Sequence, residues 1–382
     1  MVRYSILITT FLVSLLLAGC SKWNLEPKTI QSDTSTQPSS PLPSSLVIFG
    51  SKDKKVYALD AATGTKYWEF ITNGGTVNTS AAFYNGTVYV GGFDAYLYAI
   101  DAATGARKWS RQAAADRFES SPVIDNGVLY IGNDDKRFFA IDAATGTQKW
   151  QVTAGDKIIS SPAISNGVLF VGSSDTRVYA LKTDGSTLWT FKTGSIILSS
   201  PTVVSGTVYI GSSDKKLYAI EATSGKQKWV ATLGDKVNSC PLVVGSTVYV
   251  GTDDFKLYAV GTATGTILWT TAKTGNFVGG SPAYSNGLVY VGSGDNKVYA
   301  FDATNGAKRW EFATNNEVYA SPVVANGLVY IGSNDGKMYC LDAATGAKKW
   351  EFATGDQIYA TPLILSNGAV VGEYPTISGI IN

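Results

Sequence analysis

A chain without histidine has few routes to catalysis. None of its 382 residues is His, which removes Ser–His–Asp and Cys–His nucleophilic catalysis, histidine-ligated metals and an imidazole general base. Carboxylates, lysines, tyrosines and three cysteines remain. Most carboxylates fall at recurring turn positions, as in Asp302-Ala303-Thr304-Asn305-Gly306, where an Asp side chain accepts hydrogen bonds from turn N–H groups and Gly supplies positive φ. Cys240 and Cys340 fall in different strand classes of different repeats, so each reads as a small buried apolar residue rather than half of a disulfide. The chemistry available points away from an enzyme, and no metal or cofactor is expected. The formal charge of +1 gives no general electrostatic case for nucleic acid or anionic lipid.

The elements that would position these residues are set by a repeat. Tryptophans stand at Trp68, Trp109, Trp150, Trp189, Trp229, Trp269, Trp310 and Trp350, with successive spacings of 41, 41, 39, 40, 40, 41 and 40 residues. A period near forty marks an array of one supersecondary unit. In the unit Ser321–Trp350 the apolar run Ser321-Pro322-Val323-Val324 is followed by an Asn326-Gly327 turn. Then come Leu328-Val329-Tyr330-Ile331-Gly332, a turn at Ser333-Asn334-Asp335-Gly336, Lys337 to Asp342, a turn at Ala343-Ala344-Thr345-Gly346, and Ala347 to Phe352. Four short β-branched and aromatic runs separated by Gly, Asn and Asp predict a four-stranded antiparallel meander, and none holds a helical period. Four strands per forty residues is the arithmetic of a propeller blade. The fold class is therefore all-β, an eight-bladed β-propeller of four-stranded antiparallel blades. The eight tryptophans read as docking residues between blades; burying an indole removes about 150–250 Å² from water, worth about 4–6 kcal/mol at most.

The pattern Tyr-Ala-Leu-Asp-Ala-x-Thr-Gly-x-x-x-Trp resembles the tryptophan-docking motif of the PQQ-like, quinoprotein-type eight-bladed propellers. It departs at Glu221 and Gly261, which occupy the Asp position, and at Lys182-Thr183-Asp184-Gly185, which is one residue short. The quinoprotein dehydrogenases of this fold carry an adjacent Cys-Cys pair near their cofactor; this chain has none, nor their large insertions between blades. Leu17-Ala18-Gly19-Cys20, after Arg3 and an apolar run too short for a comfortable membrane span, resembles a bacterial lipoprotein signal. The resemblance implies cleavage before Cys20 and lipid on its sulfur, and Ser21 after the cysteine resembles lipoproteins sorted to the outer membrane. Signal, length and uniform blades together resemble the BamB-like lipoproteins of the outer-membrane β-barrel assembly machinery.

The expected organisation is a signal peptide at 1–19, a lipidated Cys20 with a Ser, Thr, Gln and Pro-rich tether at 20–43, the propeller at 44–373, and a tail at 374–382. The first repeat lacks its first strand. Ala360-Thr361-Pro362-Leu363-Ile364 at the other end should supply it, closing the ring by pairing the two ends of the chain. Leu46-Val47-Ile48-Phe49-Gly50 and Ala369-Val370-Val371-Gly372 compete as second strand of the closing blade, and the hairpin-connected N-terminal copy should win.

Contacts are to be sought where repeats disagree. The segment before each Ser-Pro strand varies most: Thr76 and Asn78, Arg117 and Glu119, Lys157 and Ile159, Ile196 and Leu198, and onward through Tyr319 and Tyr359. Mixed charge and apolar character there suits a protein contact. The candidate partner-binding residues are Ile196, Ile197, Leu198, Arg117, Glu119, Tyr319 and Tyr359. In the BamB-like family the partner-binding loop carries Leu-x-Leu-Arg; the nearest counterpart is Ile196-Ile197-Leu198, which lacks the arginine. The reading is a non-catalytic, monomeric, lipid-anchored envelope scaffold that binds a protein partner, facing the periplasm. The alternative is a propeller that binds a quinone or another ligand, as an oxidoreductase would.

Overall fold

The structure is a computed structural model and describes residues 42–372. Eight antiparallel sheets follow one another round a ring, seven with four strands and one with five. We number the blades in chain order from the one that receives the N-terminal end. Blade 1 combines Ser45–Gly50, Lys55–Asp60 and Lys66–Ile71 with Leu363–Ser366 from the far end of the chain. Blade 2 starts at Ala82, blade 3 at Val123, blade 4 at Ala163, blade 5 at Thr202, blade 6 at Leu242, blade 7 at Ala283 and blade 8 at Val323. In blades 2 to 8 the first strand lies innermost, in blade 1 Leu363–Ser366 takes that inner place, and in all eight the strand bearing Trp lies outermost.

Ring closure follows the expected route. Leu46 pairs with Leu365 and Ile48 with Leu363, so the N-terminal copy holds the second-strand position. The competing Ala369–Val370 is not expelled. It pairs with the opposite side of the inner strand, Leu365 with Val370 and Ser366 with Ala369, and becomes a fifth strand toward the channel axis. An inner strand has one edge left after it pairs with the second strand, and this segment uses it. The signal peptide, Cys20, most of the tether and the tail 374–382 lie outside the described residues.

Local chemistry sets each blade. The turn after the inner strand is Asn-Gly in six blades, with both residues at positive φ in blade 8 (Asn326 at 52°, Gly327 at 74°), the turn that matches strand twist. In every blade the register between third and outer strands slips by one residue just past the Trp pair, a bulge that sharpens the twist. The residue facing Trp across the ladder is Ala in seven blades and Cys340 in blade 8, because a bulky indole needs a small neighbour.

The tryptophans sit at the seams between blades. Each indole N–H donates to a backbone carbonyl at the turn of the next blade, from Trp68 to Ala102 at 3.0 Å through to Trp350, which closes the circle on Ala61 at 3.1 Å. The indole lies on the glycine of that turn: a Cβ built on Gly105 would stand 2.9 Å from Trp68, and on Gly306 2.6 Å from Trp269. Positive φ and this contact both require glycine there. Trp68 is fully buried, whereas Trp109, Trp150, Trp189 and Trp269 are only partly so.

Candidate partner-binding mouth

From each outer strand the chain returns to the inner strand of the next blade through an approach loop, and these loops ring one mouth of the channel. Three repeated devices hold them. An apolar peg in each loop, Val77, Phe118, Ile158, Ile197, Val237, Val278, Val318 or Ile358, is buried to 1% exposure or less. It fits against the glycine that ends the preceding blade's second strand; a Cβ on Gly172 would lie 2.3 Å from Ile197.

The second device is an aspartate clamp. The loop N–H of Gly75 donates to Asp94 at 3.1 Å, Gly155 to Asp175 at 2.8 Å, Gly355 to Asp53 at 2.8 Å, and equivalent bonds hold Ala115, Gly194, Gly275 and Asn315. In blade 6, the Tyr258 hydroxyl takes the loop N–H of Gly234 at 3.2 Å. A tyrosine four residues after the aspartate donates its hydroxyl to it in seven blades, Tyr98 to Asp94 at 2.5 Å among them. Burial and that carboxylate push the Tyr98 hydroxyl far above its usual range, so it stays a donor. Blade 3 has Phe139 instead, and Arg137 pairs with Asp135 at 2.7 Å.

The third device is a girdle around the channel. The N–H of Ser80 donates to the Ser121 hydroxyl at 2.8 Å, Ser121 to Ser161 at 2.9 Å, Ser161 to Ser200 at 2.9 Å and Thr361 to Ser80 at 3.1 Å. Cys240 replaces one serine and accepts from Ser200 at 3.3 Å. Cys240 is therefore a half-buried channel residue, unlike the expected core position, while Cys340 is fully buried and burial pushes its thiol up to about 12.

These devices decide which candidates reach the surface. Neighbouring residues in an extended loop point to opposite sides, so the residues flanking each peg face the mouth and the peg faces the core. Ile197 is thus corrected: it packs between blades 4 and 5 and cannot touch a partner, whereas Ile196 is 40% exposed and Leu198 half-buried. A third position in each blade joins them, the residue before the clamp aspartate. Its N–H donates to the carbonyl of the residue before the peg, Lys52 to Gln357 at 2.9 Å and Asp134 to Arg117 at 3.2 Å. Sequence reasoning overlooked this position, although its variation beside a repeated Asp was a usable signal.

The mouth has three sectors. In the charged one, Arg117 contacts Glu119 at 2.6 Å and Asp134 at 3.0 Å, and Lys157 of the next blade reaches the same Asp134 oxygen at 2.8 Å. The other Asp134 oxygen is buried without a partner. Burial and the nearby Asp134 raise the Glu119 carboxyl above the usual range, against Arg117 and Lys157. The apolar sector is Ile159, Ile196 and Leu198, between Lys157 and Lys236. In the aromatic sector Phe277 stacks on Tyr319 at 5.1 Å, Tyr319 packs at a tilt against Tyr359 at 5.8 Å, and Lys52 sits 4.4 Å over Tyr359. Gly279 and Gly294 make room for Phe277; a Cβ would lie 2.7 Å and 3.1 Å from its ring. Arg117 with Glu119, and Tyr319 with Tyr359, are therefore brought together as pairs, with Ile196 and Leu198 in a separate sector.

The chain enters the ring at the other face, where Ser45 pairs with Ser366 at the end of the inner strand remote from the approach loops. A cleft of about 410 Å³ lies there between blades 1 and 2, lined by Pro43, Phe83, Asp101, Lys108 and Leu365 among others. Among the described residues no group of three or more Cys, Asp and Glu side chains is arranged to hold a metal ion.

Comparison with known proteins agrees with this architecture. BamB from Moraxella catarrhalis superposes with a TM-score of 0.66 at 20% identity, over 78% of this chain and 96% of that one. A computationally designed protein, Ika8, superposes with a TM-score of 0.69 at 16% identity, over 79% and 93%. A europium-containing methanol dehydrogenase does so at 0.64 and 15%, over 78% and 85%. At these identities the likeness concerns the fold. No curated protein sequence matches the chain. Residues 19–121, 111–200, 175–277 and 257–374 match the family described as outer membrane protein assembly factor BamB, and the chain belongs to that family.

Proposed function

We propose that this chain is a non-catalytic, lipid-anchored scaffold of the bacterial envelope, working as a single ring in outer-membrane protein assembly and binding a protein partner through the mouth formed by its approach loops. The observation that carries the reading is where variation is confined. Pegs, clamps and girdle recur round the ring, while the residues between them change from ion pairs to aliphatic to aromatic side chains. Such a rim offers a polar and apolar mosaic suited to a protein surface. The proposed anchor at Cys20 supports the same orientation. Residues 20–43 span roughly 80 Å at full extension and join the ring at the face opposite the mouth, so lipid attachment there does not cover the mouth.

Ile196→Asp with Leu198→Asp tests the reading. Crosslinking of intact envelopes followed by mass spectrometry identifies the partner held by the unchanged chain. The double variant should lose that partner while melting cooperatively; unchanged capture would remove the apolar sector from the contact. The second reading, a quinone-binding propeller, has the shared fold of the methanol dehydrogenase behind it. Pyrroloquinoline quinone added with Ca²⁺ tests it: a large rise in melting temperature would favour it, and no shift would support the scaffold.

A further inference from the structure

The outer wall carries a feature that the mouth does not explain. Every blade ends in an edge strand paired on one side only, and exposed edges of this kind invite pairing with other chains unless charge guards them. Seven outer strands are guarded by at least one charged residue. The turn aspartate is paired with the cation just before Trp in blades 2, 3, 7 and 8: Asp101 with Lys108 at 3.2 Å, Asp142 with Lys149 at 3.3 Å, Asp302 with Arg309 at 2.6 Å and Asp342 with Lys349 at 3.1 Å. Further lysines flank Glu69, Glu311 and Glu351 on blades 1, 7 and 8.

Blade 6 has lost both halves of this pair. Gly261 stands at the aspartate position and Leu268 at the cation position, and the outer strand Ile267–Thr270 contains no charged residue. It is four residues long, against six in the other outer strands. Ile267 is 41% and Leu268 54% exposed. Local sterics do not impose this: a Cβ on Gly261 would meet nothing closer than 3.7 Å, so an aspartate fits.

We propose that the outer edge of Ile267–Thr270 is a strand-addition site for an extended, uncharged segment of a partner polypeptide, a second contact separate from the mouth. Only another extended backbone matches a row of outward N–H and C=O groups. The flanks determine what can occupy it. Blade 7 presents Lys308, Arg309 and Glu311 on one side, and blade 5 presents Lys228 on the other, while the edge itself offers only apolar and hydroxyl side chains. The neighbouring blades each turn away by an eighth of the circle. A second ring would therefore touch along four residues, far less than the roughly 1,200 Å² of a stable interface, whereas a single strand needs no more than the edge.

The test uses the full chain and a blocked peptide, acetyl-Thr-Val-Thr-Val-Thr-Val-amide, with hydrogen exchange as readout. Saturating peptide should slow exchange at the amides of Ile267–Thr270 about tenfold, and the same peptide with a central proline should not. Gly261→Asp with Leu268→Lys installs the ion pair that four other blades already carry, and should abolish protection with an unchanged melt. Leu268→Lys alone, measured beside it, should weaken protection even if the double variant folds poorly. Equal protection in these variants, equal protection of Lys308–Ala313, or none at millimolar peptide would overturn the proposal. Self-association that the double variant removes would also overturn it, by giving the edge to a second copy. Ile196→Asp with Leu198→Asp should leave peptide protection intact, so this result stands or falls apart from the mouth.

Discussion

The seams between blades and the mouth above them are built from the same forty-residue unit, yet they treat substitution in opposite ways. At a seam, Trp, the small residue facing it and the turn glycine recur with few exceptions, because an indole wedged against a neighbouring backbone leaves no slack for another shape. At the mouth, each peg is retained while the residues on either side of it run from Arg117 and Glu119 to Ile196 and Leu198. Repetition marks where the ring is held together; divergence one residue away marks where it is free to make contacts.

That contrast breaks most decisively at the seam. Trp68→Ala removes a fully buried indole and its bond to Ala102, and should cost about 3–5 kcal/mol, read from the denaturant midpoint. Trp150→Ala should cost less, since that indole is partly exposed; equal losses would mean that burial does not grade the seams. Gly105→Ala comes next, at about 1–3 kcal/mol, because its Cβ meets Trp68 at a φ of 73°.

Tyr98→Phe sits between the two regions. It deletes the hydroxyl that donates to Asp94 and accepts from the N–H of Asn73 at 2.8 Å, and should cost about 1–3 kcal/mol. Exchange should quicken at residues 73–75 with the seams unaffected. Ile196→Asp with Leu198→Asp should change stability by less than about 1 kcal/mol while removing the partner, the opposite balance to Trp68→Ala. The smallest effect is chemical. With its thiol held near 12, Cys340 stays protonated and buried at pH 8, so iodoacetamide should label Cys240 first; prior labelling of Cys340 would show that blade 8 opens.

Much of this was legible in the residues. The period of the tryptophans and the Asn-Gly and Thr-Gly turns state the number of blades, their strands and the closing partner, because each signal is local and recurs round the chain. The mouth was legible only in part. Ile196-Ile197-Leu198 looks like one apolar patch in sequence, but alternation in the extended loop buries its middle member. Lys52 and Asp134 belong to the mouth through loops that arrive from elsewhere in the same blade. In sequence the clamp aspartates look like turn formers, since nothing local says that their second oxygen holds an incoming loop.

The amino-acid order alone determined a closed ring of eight indole-docked sheets, since repeated short-range preferences leave one consistent way to bury the tryptophans. Tertiary structure alone decided that Ala369–Val370 becomes a fifth strand, that Phe277, Tyr319 and Tyr359 meet across three blades, and that one outer edge stands unguarded. Each depends on what another part of the chain places alongside, and an isolated repeat does not encode its neighbours.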